Sequence, residues 1–519
     1  MTKIRNYFII MASVFAISSA CALVGVQDVK AAEPAMSDLI KRIEALESSP
    51  KGGNVTAPKI RGLKMGFEIR HRFEFRSDPN GQRSSALNDG NSKSNRDSDF
   101  TLQRTRIYLD ADVNKNVRGY VKLQDSRTWG AEQSTTGNLS RVDLLEGFVE
   151  LRNLGEFSGL LTNVSARAGR WQQSYGNHRW FGTLNWANQS RSYDGVRVKY
   201  DNKKNVWADV WAYHISEDQT GAASGENGSG VPVIGSPGQQ DETFWGLYAG
   251  IKVTEGITAE PFLAIRNRSA DAAGNKTGGA TKSSEDRYHA GWRLVGKNIS
   301  WLPGVDFTAE TAFQFGKIYG PDNRFGKNLD PGVGAYHSKS IDAHAGAYQI
   351  GYTFKNVPWT PRIGYGYVYA SGDNDPNDGD SETFSHLYPT GHATMGYIDF
   401  HAWQNIKDHQ AHLSFKPTKK LLVKVDFHKF NAYTRSDDWY TVGGGGRGKA
   451  GVSQSDHYGD EIDLTVKYKL LNNFTVVAGY SKYMVGKFVE DSRGIPADSG
   501  LNGDSGDTDW FYLMTTMKF

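Results

Sequence analysis

Residues 66–77, GFEIRHRFEFRS, contain two sequences interleaved. Phe67, Ile69, His71, Phe73 and Phe75 are large and mostly apolar, whereas Glu68, Arg70, Arg72, Glu74 and Arg76 are all charged. Side chains along a β-strand point alternately to opposite faces, so a strand here separates apolar from charged surface almost completely. One face suits hydrocarbon, and the other suits water or a partner charge.

The same alternation recurs along the chain. In 101–112, TLQRTRIYLDAD, the even positions carry Arg104, Arg106, Asp110 and Asp112, while Ile107, Leu109 and Ala111 take the other face. Val121 and Leu123 oppose Tyr120, Lys122 and Gln124. Val196, Val198 and Tyr200 oppose Arg197 and Lys199. Between 420 and 430, Leu421, Val423, Val425 and Phe427 oppose Lys420, Leu422, Lys424, Asp426 and His428. A soluble antiparallel sandwich shows the same period, so the connections must decide. Short turns fall near Asn114–Asn116, Asp201–Asn205, Thr254–Gly256, Pro417–Lys419 and Leu471–Asn473. Long polar stretches occupy about 77–98, 216–241, 268–285, 317–340, 372–399, 434–457 and 487–508. Alternation of short and long connections is the signature of an outer-membrane barrel, with short periplasmic turns and long extracellular loops. About 18 strands of about ten residues are expected, an even number that returns both ends to one side. The C-terminal DTDWFYLMTTMKF alternates likewise and ends on Phe519, as the last strand of an exported barrel does.

The 519-residue chain has a mean hydropathy of -0.55, which a barrel explains because only its outer face must be apolar. Residues 1–31 read as a cleaved signal peptide: Lys3 and Arg5 precede an apolar run, and Val29-Lys30-Ala31 offers small residues for cleavage. The alternative is an uncleaved membrane anchor. Without those residues, which carry Lys3, Arg5, Lys30 and Asp28, 57 basic side chains face 56 acidic ones. So even a balance does not suggest a nucleic-acid partner. The single cysteine, Cys21, lies in the signal and lacks the leucine three residues before it that lipidation expects. The exported chain therefore holds together without disulfides.

Residues 32–63 form a periplasmic segment. Met36, Leu39, Ile43 and Leu46 occupy a and d positions of two heptads, so 36–48 is a short helix, either a coiled coil joining a homotrimer or a lone amphipathic helix. Residues 50–60 are a linker, and 64–519 are the barrel. The fold class is thus an all-β transmembrane antiparallel barrel of about 18 strands with a short N-terminal helix.

No nucleophile elbow, zinc helix or paired Cys/His cluster is present, so neither an enzyme nor a cofactor or metal site is expected. His386, His392, His401, His409 and His412 read as rim or lumen residues. The loop 373–382, DNDPNDGDSE, places Gly379 seventh rather than sixth for an EF-hand calcium loop and has Phe384 at position 12, so it reads as turn chemistry. What remains is the lumen. Arg70, Arg72, Arg76, Arg104, Arg106, Lys122, Arg167 and Arg197 fall on the non-lipid face, with Arg170, Arg179 and Arg191 near strand ends or in the 170–191 connection. Rings of Arg and Lys attract anions, and Glu68, Glu74, Asp110, Glu146 and Glu150 are placed to orient them. The competing reading is that these charges only satisfy one another.

The stretches FTLQRTRIYLDADVNKNVRGYVKLQDSRTWG, ARAGRWQQSYGNHRWFGTLNWANQSRSYDGV, YASGDNDPNDGDSETFSHLYPTGHATMGYIDFHAWQNI, DFHKF and GDEIDL together resemble the alginate export family of outer-membrane proteins, over about 64–519. The resemblance implies a monomeric 18-stranded barrel with an electropositive conduit for an anionic polysaccharide. It also implies conduit roles for Arg104, Arg106, Arg127, Arg167, Arg170, Arg179 and Arg191, and by pattern for His428, Lys429, Glu461 and Asp463. The family's Gly-Arg-Gln is Gly169-Arg170-Trp171 here, and the heptads resemble trimeric porins instead. The expected function is an outer-membrane channel for anionic solutes such as alginate. The alternative is a general or oxyanion-specific trimeric diffusion porin. Expected surroundings are outer-membrane lipid, lipopolysaccharide and the barrel assembly machinery.

Overall fold

A computed structural model describes residues 61–77, 97–131, 142–216, 242–268, 284–321, 336–375, 378–447, 451, 453–492 and 507–519. The expected signal peptide, the 36–48 helix and the linker lie outside the described residues.

Eighteen long strands form one closed sheet: β1 (Gly62–Ser77), β2 (Asp97–Asp112), β3 (Val117–Thr128), β4 (Asp143–Leu151), β5 (Val164–Trp171), β6 (Tyr193–Asp201), β7 (Val206–Ser216), β8 (Glu242–Thr254), β9 (Ile257–Arg268), β10 (Ser284–Gly296), β11 (Val305–Pro321), β12 (Tyr336–Thr353), β13 (Arg362–Ala370), β14 (Ile406–Phe415), β15 (Leu421–Ala432), β16 (His457–Lys469), β17 (Phe474–Val485) and β18 (Thr508–Lys518). Each pairs antiparallel with its sequence neighbour. β1 and β18 close the ring in a register running from Glu68 opposite Lys518 to Arg76 opposite Trp510. Phe67 and the terminal Phe519 exchange both backbone hydrogen bonds, at 2.7 and 3.0 Å. Closure leaves no sheet edge, which is what lets a β-structure sit in lipid with its backbone satisfied.

The alternation of GFEIRHRFEFRS survives in three dimensions. Arg70, Arg72 and Glu74 are buried in the lumen, while Phe73 is exposed on the outside. Around the ring the outward positions are large and apolar, among them Leu109, Val121, Val149, Val210, Leu263, Phe313, Ile350, Leu413, Phe427 and Leu513. A contiguous belt of this kind is a lipid-facing surface.

The short turns fall where the sequence predicts them. Three connections on the same end are longer than a tight turn: 152–163, which holds two short 3-10 turns, 297–304 and 354–361. The lumen departs from a uniformly charged, wet interior. From β5 to β10 it is packed with rings, including Trp171, Tyr193, Trp211, Tyr213, Phe244, Tyr248 and Phe262, all buried. Gly246 makes room for this layer, since a Cβ there would meet the Trp211 ring at 2.2 Å. The inner face of β7 carries Trp207, Trp211 and Tyr213 around the buried Asp209, which accepts the Tyr175 hydroxyl at 3.0 Å from a segment of the chain that covers it.

The belt yields a direct check. Phe313 sits midway along β11 and is 53 % exposed. Phe313→Arg should destabilise the barrel by about 2–4 kcal/mol, the usual cost of Arg facing lipid at mid-depth. Denaturant unfolding from lipid vesicles measures it, and a loss near zero would contradict the outward assignment.

Candidate functional site: the lumen and its inserted segments

Two connections that leave the strands on the long-loop end fold back into the barrel. They are 172–192, between β5 and β6, and 371–405, between β13 and β14. Their buried residues include Tyr175, Trp180, Phe181, Phe384, Tyr388, Met395, Ile398, His401 and Trp403. Both are sequences that alternation could not place in a wall: apolar rings interrupted by Gly, Asn and Thr. The segments pair with each other. Tyr388 N–H donates to Trp180 O at 2.9 Å and Gly182 N–H to Tyr388 O at 2.8 Å, forming a single parallel bridge between Phe181 and Tyr388, and Thr390 N–H donates to His178 O at 2.8 Å. Gly182 permits this contact, because a Cβ there would lie 2.4 Å from Thr390 Oγ1.

The arginine ladder holds the first segment to the wall. Arg70 donates to Asn185 O and Ala187 O, both at 2.9 Å. Arg72 donates to Trp186 O at 2.6 Å and lies 4.0 Å from the centre of the Trp186 ring. Arg104 donates to Asn185 O at 3.0 Å and is paired with Glu68 at 2.7 Å. Arg106 reaches Asn185 Oδ1 at 3.0 Å and Ser190 Oγ at 2.6 Å. Three successive carbonyls thus sit in a nest of guanidinium donors, the only side chain with enough fixed N–H groups to bind backbone and carboxylate together. Glu68 and Glu74 do orient these arginines, as the sequence predicts: Arg72 Nε donates to Glu74 at 2.6 Å.

The second segment is fastened by acceptors and donors from other strands. Gln314 exchanges hydrogen bonds with Ser385, at 2.6 and 2.9 Å. Arg76 donates to Ile398 O at 3.0 Å, and Ile398 N–H donates to Glu461 at 2.9 Å. Tyr388 donates its hydroxyl to Glu242.

The remaining predicted site residues divide three ways. Lys122 pairs with Glu146, Arg167 with Glu150, and Arg197 reaches Gln173 Oε1 at 3.1 Å, all inside the barrel. His428, Glu461 and Asp463 also face inward but are buried under 395–401, with His428 bound to Asp408 at 2.9 Å and Asp463 to Ser481. Arg179 and Arg191 belong to the inserted segment: Arg179 is 4.0 Å from Glu310, and Arg191 donates to Gly182 O and Pro389 O. Arg170 and Lys429 are corrections: strand parity turns them outward, in register with Gly147 and His409 respectively. Arg127, in register with Gln103 at the end of β3, lines the second of the cavities below. Arg127 pairs with Asp125 at 2.6 Å and Arg170 with Asp194 at 2.5 Å.

Open space lies on both sides of the paired segments. A cavity of about 500 Å³ on the short-turn side is lined by His178, Arg179, Gln349, Arg362, Thr394, His412 and Lys424, among others, with no carboxylate in its lining. Arg362 is held from behind by Asp306 at 2.6 and 2.8 Å, and Lys424 by Asp426 at 2.7 Å. A second cavity of about 520 Å³, toward the long-loop end, is lined by Ser126, Arg127, Thr128, Asn188, Ser190 and Arg191, among others, again without a carboxylate. Burial, and then the charge of Arg293, hold the His178 imidazole below its usual range. Burial, followed by Arg191 and Arg266, pushes His386 down to about 3. These loop histidines are therefore neutral, and the positive field at the cavities comes from Arg and Lys. Arg362, Lys424 and His178 were not singled out from sequence as site residues, and His412 was read as a rim or lumen histidine; the inward parity of β13 and β15 was the available signal for the first two. In the acidic stretch, Asp373 N–H donates to Asp437 and Asp380 N–H to Asp378. Among the described residues, no group of three or more His, Cys, Asp or Glu could hold a metal.

A family model described as alginate export matches residues 61–499. The chain belongs to the alginate export family. No curated protein matches the sequence. Among solved structures, Pseudomonas aeruginosa OccD3 (OpdP) is similar with a TM-score of 0.51 at 11% identity, covering 89% of this chain and 92% of that one. OccK5 (OpdH) from the same organism gives 0.51 at 10% identity, covering 89% and 98%. OpdQ gives 0.50 at 11% identity, covering 89% and 99%. At such identity these likenesses establish the shared barrel fold. Family and fold together make the alginate-export protein an outer-membrane channel.

The interlock of the segments is testable at Gly182. Gly182→Val places a branched side chain against Thr390, which should part the bridge and raise the rate of proteolytic cleavage within 172–192 several-fold. An unchanged rate in a folded barrel would contradict the pairing.

Proposed function

We propose that the protein conducts anionic solutes across the outer membrane, and that its solute class is an anionic saccharide carrying carboxylates, such as a uronate oligomer or polymer. The observation that carries this is the short-turn-side cavity, which presents Arg179, Arg362 and Lys424 and no carboxylate. A fixed positive lining in a narrow, low-dielectric lumen concentrates anions and repels cations. Guanidinium groups add bidentate recognition of carboxylate. Family membership supports the same substrate class. The arginine ladder acts one step back: it sets the position of the segment that narrows the lumen. Passage requires positioning and charge, with no covalent step.

Reversal potentials of the reconstituted full chain across a salt gradient test this. The wild type should prefer anions, and Arg362→Ser with Lys424→Ser should lower the anion-to-cation permeability ratio several-fold. A uronate oligomer should block the current where a neutral oligosaccharide of the same length does not. A cation-selective or non-conducting wild type would overturn the proposal.

Export through a cleaved signal is part of the same account. The intact mass of protein purified from outer membranes should correspond to a chain starting at Ala32. A mass including residues 1–31 would show an uncleaved anchor.

A further inference from the structure

The outer wall carries a basic patch that the channel does not use. Lys407 and His409 on β14 and Lys429 on β15 all point outward, and His409 lies directly opposite Lys429 in the antiparallel register. Directly opposed side chains in such a pair are about 5 Å apart at Cβ, so the groups form one cluster. His409 and Lys429 are exposed. The cluster is edged by tyrosines: His409 Nδ1 is 2.7 Å from the Tyr365 hydroxyl, and Lys407 Nζ is 5.5 Å from the centre of the Tyr433 ring. With Nδ1 engaged by Tyr365, the Nε2 edge of His409 is the one available to a ligand.

Its height on the barrel is informative. Lys407 is the second residue of β14, and Lys429 is three residues from the end of β15, both at the long-loop end. Immediately toward the short turns, the same outward rows become Leu413 and Phe427, with Ile462 beside them, each about 40 % exposed. The patch therefore crowns the apolar belt on the extracellular side, at the level where acyl chains give way to headgroups.

Its charge balance is also distinct. Three other cations near this rim have carboxylates within reach: Arg127 has Asp125, Arg170 has Asp194, and Lys482 has Asp509 at 3.9 Å. Among the described residues, neither Lys407 nor Lys429 forms an ion pair. The carboxylate opposite Lys429 belongs to Asp460, whose Oδ1 lies 3.3 Å from His457 Nε2. Lysines facing the lipid boundary without partners cost stability unless an anion meets them. The anion fixed at that height in the outer leaflet is the phosphate of a phosphorylated glycolipid. We propose that Lys407, His409 and Lys429 form a binding site for the phosphorylated headgroup of lipopolysaccharide, anchoring one glycolipid to the β13–β15 face.

Titration of the folded, delipidated full chain in neutral detergent tests the site, with bound lipid read by native mass spectrometry. The probes are bisphosphorylated lipid A, the same glycolipid with its phosphates removed, and inorganic phosphate. Lys407→Gln with Lys429→Gln should weaken lipid A binding about thirty-fold, from roughly five- to six-fold for each lysine beside an anionic lipid surface. Lys482→Gln, at a cation with its own carboxylate, should leave binding unchanged, and Lys407→Arg with Lys429→Arg should retain it. Folding is checked for each variant by heat-dependent gel mobility. Three results would overturn the site: wild-type affinity in the double glutamine variant, equal affinity for the dephosphorylated glycolipid, or equal affinity for inorganic phosphate.

Discussion

The grip of Arg70, Arg72 and Arg104 on the carbonyls of residues 185–187 is the interaction on which the lumen depends. These guanidinium groups are nearly sealed from solvent, Arg104 being 2 % exposed, so each would carry a heavy desolvation cost if left unmet. Glu68 and Glu74 offset part of that cost, and the three carbonyls supply the rest. The dependence runs both ways. If the segment left the wall, several buried cations would lose acceptors together, and the carbonyls would lose their donors. The ladder that marks one face of GFEIRHRFEFRS is a clamp, and what it clamps is the peptide that narrows the channel.

That clamp works only because the wall behind it cannot shear. The β1–β2 register sets Arg70 opposite Arg104 and Glu68 opposite Arg106, and closure of β1 on β18 locks that wall in place. Opposite, the aromatic layer from β5 to β10 gives the inserted segments an apolar bed, with the Tyr175 and Tyr248 rings stacked at 4.5 Å. The lumen is thus divided. One side is rings against rings, another is guanidinium against carbonyl, and open polar space remains above and below the paired segments.

Much of the wall was legible from alternation, because one face of each strand must satisfy lipid and a period of two has no freedom to slip. The same parity explains the errors. Lys429 shares the outward row of Phe427, so a family motif assigned to the conduit a residue that strand geometry places outside. Arg170 shares the outward row of Ala168, and its pairing with Asp194 across β6 fits that side. The inserted segments were not legible, since their bridge joins residues near 180 to residues near 389, and no local period reports such a contact. The cavity cations Arg362 and Lys424 were hidden for a related reason. Nothing near them in sequence shows that Thr390 and Thr394 will form the opposite wall.

Single-channel conductance of the Arg70→Ala, Arg104→Ala variant, checked for folding and compared with wild type in the same bilayer, is the most direct test of the clamp. With acceptors at residues 185–187 no longer held, the segment should move from the lumen, giving larger unitary current and fluctuating levels. A variant that folds and conducts with the same steady current as wild type would show that the arginine ladder does not set the width of the channel.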